Sequence, residues 1–321
     1  MNHSSYTTSP SSPGDGDKCF FLPEPQFNRV EDERYSTNVT TALINFAMIP
    51  FALCSNFLIV SVITRNPSFA SPSNVLLACL AVSDFLVGLI VQPLYSCFRI
   101  LENTRLYVPC PFRVVYSESF WICYGVSFMT LSALSCERYL ALRLHLRYRE
   151  LVTTQGVLHL VAIIWIFDVI LTSLQWVDHG SFVRHMQISI FLLCVFLTVI
   201  VQFKIFGIIR HHQRQITEQT LNPSQVSFAA IQTKLAKNMA YIVGFYLMFN
   251  LPVLVVQMCQ FAGVEFSSLN VFSWVETIAF TKSSVNPVIC GWRNAEIRQE
   301  VIKKLRKCFR REIAIQQNGI E

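Results

Sequence analysis

Charged side chains inside apolar runs are the chemistry-bearing residues of this chain. Asp84 lies in Leu80-Ala81-Val82-Ser83-Asp84, Glu137 and Arg138 close another run, Asp168 lies within a third, and Glu276 and Lys282 share a fourth. An ionisable group at membrane depth is expensive, so each is by default a hypothesis of function. A charge that cannot escape to water should pair, since an unpaired one costs several kcal/mol. Glu276 has two readings: a partner for a cationic ligand group, or a membrane-face carboxylate that reaches water. Asp168 reads as an interhelical hydrogen-bonding group. Nothing suggests an enzyme, a cofactor or a metal. There is no Gly-rich phosphate loop and no ligand cluster, and His211-His212 lie in a basic linker.

The elements that must position these charges are long apolar helices. Of the 321 residues, 52% are hydrophobic and 14% charged, with a mean hydropathy of +0.42; a soluble domain carries about 25% charged residues. Seven runs approach the length of a bilayer-spanning helix: 41–64, 73–98, 117–142, 157–176, 186–209, 240–261 and 269–289. The expected fold is an all-α membrane protein, a seven-transmembrane helix bundle. A large soluble α-protein would not carry seven such runs with polar punctuation. Basic residues follow the third run (Arg143, Arg147, Arg149), bracket the fifth–sixth linker (Arg210, Arg214, Lys234, Lys237) and follow the seventh (Arg293 to Arg311). By the positive-inside rule these segments are cytoplasmic and the N-terminus is outside. The net charge of +6 then reads as topology and anionic-lipid contact rather than nucleic-acid binding.

Three regions are expected: an extracellular tail over 1–40, the seven-helix unit over 41–291, and a cytoplasmic segment over 292–321. The tail is polar, and no apolar stretch of signal-peptide type precedes the first run. Asn2 and Asn38 begin glycosylation sequons, Asn38 close to the membrane. In the last segment Ile297, Val301, Ile302, Leu305 and Phe309 share a helical face opposite basic residues, which suits a short amphipathic helix on the inner leaflet. Cys308 at its end is either a palmitoylation site or an unmodified thiol.

Ser135-Cys136-Glu137-Arg138-Tyr139, Asn286-Pro287 and Asp84 together resemble the signature of rhodopsin-like (class A) G-protein-coupled receptors, over roughly residues 41–310. The resemblance implies a plasma-membrane receptor for an extracellular ligand. Helix movement would expose Arg138 to a heterotrimeric G protein, with Glu137, Tyr139, Pro252, Asn286 and Pro287 in the same switch. It also implies a buried polar core of Asn56, Asp84, Ser127, Ser283 and Asn286, which in the family often holds a sodium ion favouring the inactive state. The alternative is a hydrogen-bonded network without an ion. Lys282 stands where the family usually has asparagine. It either pairs with Asp84, replacing a mobile cation by a tethered one, or points elsewhere. An opsin-like sensor is disfavoured because Phe280 holds the retinal-lysine position, and two residues rotate a helical side chain by roughly 200°. A transporter would show internal repeats and broken helices, which the sequence lacks.

The chain departs from the family pattern at several switch positions. Gln232 replaces the acidic residue at the base of the sixth helix, so the restraint on Arg138 should be weaker. Asn250 replaces a tryptophan ahead of Pro252, Cys290 replaces a tyrosine after Asn286-Pro287, and Gln202 stands where tyrosine is common. A signalling receptor with altered contacts and a non-signalling decoy both fit. The ligand pocket implied by the family maps to Phe120, Tyr124, Gln257 and Glu276. Phe120 stands where monoamine receptors carry an aspartate, which disfavours a monoamine. The usual disulfide from the third helix to the second outer loop cannot form, because that loop has no cysteine. This absence, the short loop and a proline-free fifth helix resemble the melanocortin, lysophospholipid, cannabinoid and adenosine receptor group. Among Cys19, Cys110 and Cys259 a substitute bridge is possible, and its connectivity is open.

Overall fold

The computed structural model describes residues 19, 22, 32–104, 108–144, 147–177, 181–218, 223–264, 266, 268, 270–293 and 295–318. The long helices are α1 (Asp32–Arg65), α2 (Pro72–Asn103), α3 (Cys110–Leu144), α4 (Thr154–Leu174), α5 (Ser181–Glu218), α6 (Pro223–Phe261), α7 (Asn270–Arg293) and α8 (Ala295–Asn318). Two starts are capped as their sequences direct. Ser71 Oγ accepts from the Asn74 amide at 3.3 Å ahead of Pro72, and Thr153 Oγ1 accepts from the Gly156 amide at 3.1 Å.

Among the described residues, six helices are long and apolar enough to cross a membrane. The seventh, α7, falls short in hydropathy for a physical reason: it carries Glu276 and Lys282, both with ionic partners inside the bundle. The helices overrun the apolar runs read from sequence. In particular α1 begins at Asp32, so residues 32–40 are helix rather than tail.

α3 runs through the middle and packs on α2, α4, α5 and α6, while α1 packs on α2, α7 and α8. The interior is a continuous apolar cluster including Leu80, Phe128, Leu131, Phe191 and Tyr246. The outward faces are also apolar: Phe46, Phe51 and Phe57 on α1, Ile163, Ile166 and Ile170 on α4, and Leu193, Phe196 and Phe203 on α5 are exposed. So many exposed aliphatic and aromatic side chains are stable only where the surrounding solvent is itself apolar.

A five-residue π segment, Val87–Val91, interrupts α2, with the Gln92 amide donating back to the Val87 carbonyl. Pro93 follows and has no amide to donate. The wider turn re-aims the outer half of α2, turning Tyr95, Arg99 and Glu102 inward. Gly88 lies in this segment, and a Cβ there would meet Ala52 Cβ at 2.8 Å.

α8 docks through Ile297, which is fully buried in the inner apolar cluster. Lys304 donates to the Ser61 carbonyl and, at 3.0 Å, to the Ser61 hydroxyl. Ile302 and Leu305 stay exposed, the outcome for an amphipathic helix whose apolar face needs a membrane.

Candidate functional site

The site runs through the bundle in four layers. At the outer end, Glu102 of α2 accepts from Arg34 of α1 (Nη2 to Oε1 2.9 Å, to Oε2 3.1 Å) and from Arg99 Nη1 (3.2 Å). Arg99 Nη2 reaches Glu276 Oε2 of α7 at 3.1 Å. Arg34 Nη1 also donates to Ser273 Oγ at 3.0 Å, so three helices are joined. Sequence reading missed Arg34, Arg99 and Glu102. The available signal was opposite charge at i, i+3 (Arg99 and Glu102) where the second apolar run fades.

Two expectations are corrected here. Glu276 neither waits for a cation nor merely faces water, because Arg99 is its partner. Asn38 is poorly placed for glycosylation: it lies in α1 with its side chain fully buried, and its amide donates to Glu102 Oε2 (3.2 Å) and Asn103 Oδ1 (2.9 Å). Asn2 lies outside the described residues.

Inward is a ring cluster. Phe120 packs edge-on to Phe280 at 5.5 Å between centroids, and Phe280 on Tyr95 at 5.3 Å. Tyr124 meets Phe128 at 4.8 Å, and Phe128 meets Tyr246 of α6 at 5.3 Å. Edge-to-face pairs of this kind are favoured by the ring quadrupoles. Phe120 and Tyr124 are buried, and the Tyr124 hydroxyl donates to the Asn250 carbonyl at 3.0 Å, just before Pro252. The Asn250 amide turns back to the Tyr246 carbonyl at 2.8 Å. Gln257 is half-buried on α6.

The third layer centres on Asp84. Its Oδ1 accepts from Ser283 Oγ at 2.8 Å and faces Lys282 Nζ at 3.2 Å; its Oδ2 accepts from Asn286 Nδ2 at 2.8 Å. Lys282 Nζ also lies 4.4 Å from the centre of the Tyr246 ring, a cation–π contact with α6. Asn56 donates to the Ser283 carbonyl at 2.8 Å, and Ser127 shares a 2.9 Å hydrogen bond with Ser83. Asp84, Lys282 and Ser283 are nearly inaccessible, so each charge relies on the other for compensation. Pro287 follows Asn286 inside α7. Beside this layer Asp168 of α4 is buried against Gly125 of α3, where a Cβ would fall 2.1 Å from Asp168 Oδ1.

At the opposite end of the bundle from Arg99, Arg138 binds Glu137 through Nε (2.6 Å to Oε2) and Nη2. Glu137 accepts in addition from Ser73 Oγ of α2 at 2.7 Å and from the Tyr148 hydroxyl. Tyr148 sits on a helical turn, Tyr148–Leu151, after α3. Burial, then its bond to the Glu137 carboxylate, pushes the Tyr148 phenol above its ordinary range, so it remains a donor. Gln202 Nε2 donates to Ser135 Oγ at 3.2 Å, close to this ion pair. Tyr139 points to the α5 side, its hydroxyl accepting from Arg143 at 3.1 Å and its ring 5.8 Å from Lys204 Nζ. The side chains of Gln232, Cys290 and Cys308 lie outside those described.

The outer rim is tied by a bridge between Cys19 and the first residue of α3, Cys110, with Cα atoms 5.4 Å apart. Cys259 is free. Nearby, Glu118 of α3 accepts from Trp176 Nε1 (2.5 Å), Ser173 Oγ (2.8 Å) and Gln175 Nε2 (3.4 Å). One carboxylate thus fastens the end of α4 and the following turn to α3.

Residues 55–184 match the family described as 7 transmembrane receptor (rhodopsin family). The chain is a divergent rhodopsin-like receptor. It is 25% identical over 298 residues to the adenosine receptor A2a of Canis lupus familiaris, covering 82% of this chain and 71% of that one. It is 23% identical over 310 residues to the adenosine receptor A2b of Gallus gallus, covering 84% and 88%. Octopamine receptor 1 of Lymnaea stagnalis matches a shorter part, 25% identical over 147 residues, 45% of this receptor and 23% of that one. The receptor is a multi-pass membrane protein of the G-protein-coupled class and not an enzyme.

Proposed function

We propose that this receptor sits in the plasma membrane with its N-terminus outside, binds a ligand among the outer ends of α2, α3, α6 and α7, and activates a heterotrimeric G protein. The observation that carries this is the state of Arg138: a permanent cation, nearly buried, held by a single carboxylate that two other segments orient. Such an arrangement is a lock with few parts. Outward movement of α6, hinged at Pro252, would pull on the Tyr124–Asn250 and Lys282–Tyr246 contacts and free the cytoplasmic face around Arg138.

We further infer that Lys282 takes the place of a bound cation beside Asp84. A mobile ion would have to share a carboxylate that already faces an ammonium at 3.2 Å, so signalling should be indifferent to sodium. Cys308 at the end of the amphipathic face suits a lipid attachment. The relatives' names suggest ligand classes. Octopamine is a cation and would need a free carboxylate, which neither Phe120 nor the Arg99-paired Glu276 supplies. A flat aromatic ligand without a cationic group suits the ring cluster better.

The test is nucleotide exchange on a panel of G proteins in cells expressing the receptor without ligand, against Arg138→Ala. Exchange that disappears in the variant supports coupling. Silence that persists with a bound ligand, at confirmed surface expression, supports the decoy reading instead.

A further inference from the structure

The outer charge chain is neutral only through its second carboxylate, Glu276. Arg34 and Arg99 share Glu102, so these three groups sum to one positive charge, and Glu276 neutralises it. Glu276 is also the most accessible of the four, with 24% of its side chain exposed against 12% or less for the others. Its hold on Arg99 is one bond of 3.1 Å, through Oε2. Arg99 is buried, its Nε has no hydrogen-bond partner, and its guanidinium lies 4.8 Å from the Tyr95 ring centre and 5.3 Å from that of Phe98. Tyr95 and Phe280 lead directly into the ring cluster around Phe120.

We propose that this is an anion-binding site in which Glu276 is a displaceable counter-ion, and that its ligand is an aromatic carboxylate. A guanidinium cannot shed its proton, so Arg99 must keep a counter-charge. A planar carboxylate matches the guanidinium fork and can engage the unsatisfied Nε. Glu276 can turn outward at low cost because it already reaches water. The aromatic body then packs on the partly exposed rings of Phe98 and Tyr116, which lead on to Tyr95. A cationic ligand meets the opposite situation: the carboxylate is already neutralised and Arg99 repels from behind it. Moving Glu276 off Arg99 would loosen the link between α2 and α7, coupling the site to the bundle. The inference rests on the receptor reading only for the natural ligand; the binding itself is tested without signalling.

The experiment is thermal denaturation of the purified full-length receptor in detergent with millimolar benzoate or benzylammonium. The proteins are wild type, Glu276→Gln and the double variant Arg99→Met with Glu276→Gln. The double variant removes the outer pair together, leaving neither of the two charges unpaired. Benzoate should raise the Tm of Glu276→Gln by several degrees and that of wild type by less, and leave the double variant unmoved; benzylammonium should move none. The proposal fails if benzoate shifts neither wild type nor Glu276→Gln, or shifts the double variant equally. It fails also if benzylammonium stabilises wild type and Glu276→Gln abolishes that effect. Should Glu276→Gln not fold, wild type against the double variant decides by the same readings. Failure here with intact Arg138-dependent exchange would reject the ligand class and leave the receptor function standing.

Discussion

Lys282 Nζ stands 3.2 Å from Asp84 Oδ1 in the interior of the bundle, and its other face rests 4.4 Å from the Tyr246 ring. One ammonium therefore joins α2, α7 and α6. Removing one member of a buried ion pair costs about 3–5 kcal/mol, whereas removing both is often nearly neutral. Lys282→Met should lower the Tm of the purified receptor sharply, and Lys282→Met with Asp84→Asn should recover most of the loss. A double variant no more stable than Lys282→Met would show that the pair is not what compensates Asp84. Sodium should leave wild-type signalling unchanged, while Lys282→Asn should acquire a sodium response; a wild-type response lost in Asp84→Asn would overturn the tethered-cation reading.

Gly125 and Asp168 test the α3–α4 contact. A methyl group at Gly125 would fall 2.1 Å from Asp168 Oδ1, so Gly125→Ala forces a backbone shift or an off-rotamer carboxylate, costing about 1–3 kcal/mol. Folded yield and Tm should fall, and Asp168→Ala in the same chain should restore them, because the atoms that clash are gone. Equal damage in the single and double variants would place the defect elsewhere.

The Cys19–Cys110 bridge closes a segment of 91 residues. Closing a loop of that length stabilises by about 4–5 kcal/mol in the chain-entropy account. Cys19→Ser and Cys110→Ser should reduce surface expression alike, and Cys259→Ser should not. Peptide mapping without reduction should recover Cys19 joined to Cys110; Cys259 in that linked peptide would contradict the assignment.

Much of the architecture was legible in the sequence, because apolar runs of bilayer length leave a chain little choice but to cross. The α7 span was legible as the apolar run 269–289, despite the Glu276 and Lys282 within it. The polar core was legible as a set of residues, but pairing was not. Lys282 could be read as near Asp84, yet only the helix packing shows Ser283 and Asn286 on the same carboxylate. The outer layer was largely hidden. Arg34 and Asn38 fell in what reads as a polar tail, because a helix extending beyond the bilayer has no apolar signal to reveal it. The inward aim of Arg99 depends on the π segment at Val87–Val91, a register change that composition does not encode directly. Ser73 and Tyr148 were hidden likewise: a serine at a helix start and a tyrosine in a loop acquire meaning only when α2 and the turn after α3 converge on Glu137.

We propose that Glu137 restrains Arg138 and that Arg138 carries the coupling. The most direct measurement is ligand-free nucleotide exchange in membranes for wild type, Glu137→Gln and Glu137→Gln with Arg138→Ala, at matched surface expression. A charge-assisted hydrogen bond is worth about 1.5–3 kcal/mol, so Glu137→Gln should raise exchange by roughly 10-fold or more if the lock limits it. Adding Arg138→Ala should return exchange to background. Tyr148→Phe, which removes one orienting donor and leaves the ion pair, should raise exchange less. Exchange unchanged by Glu137→Gln, or raised and then indifferent to Arg138→Ala, would show that this ion pair does not control coupling.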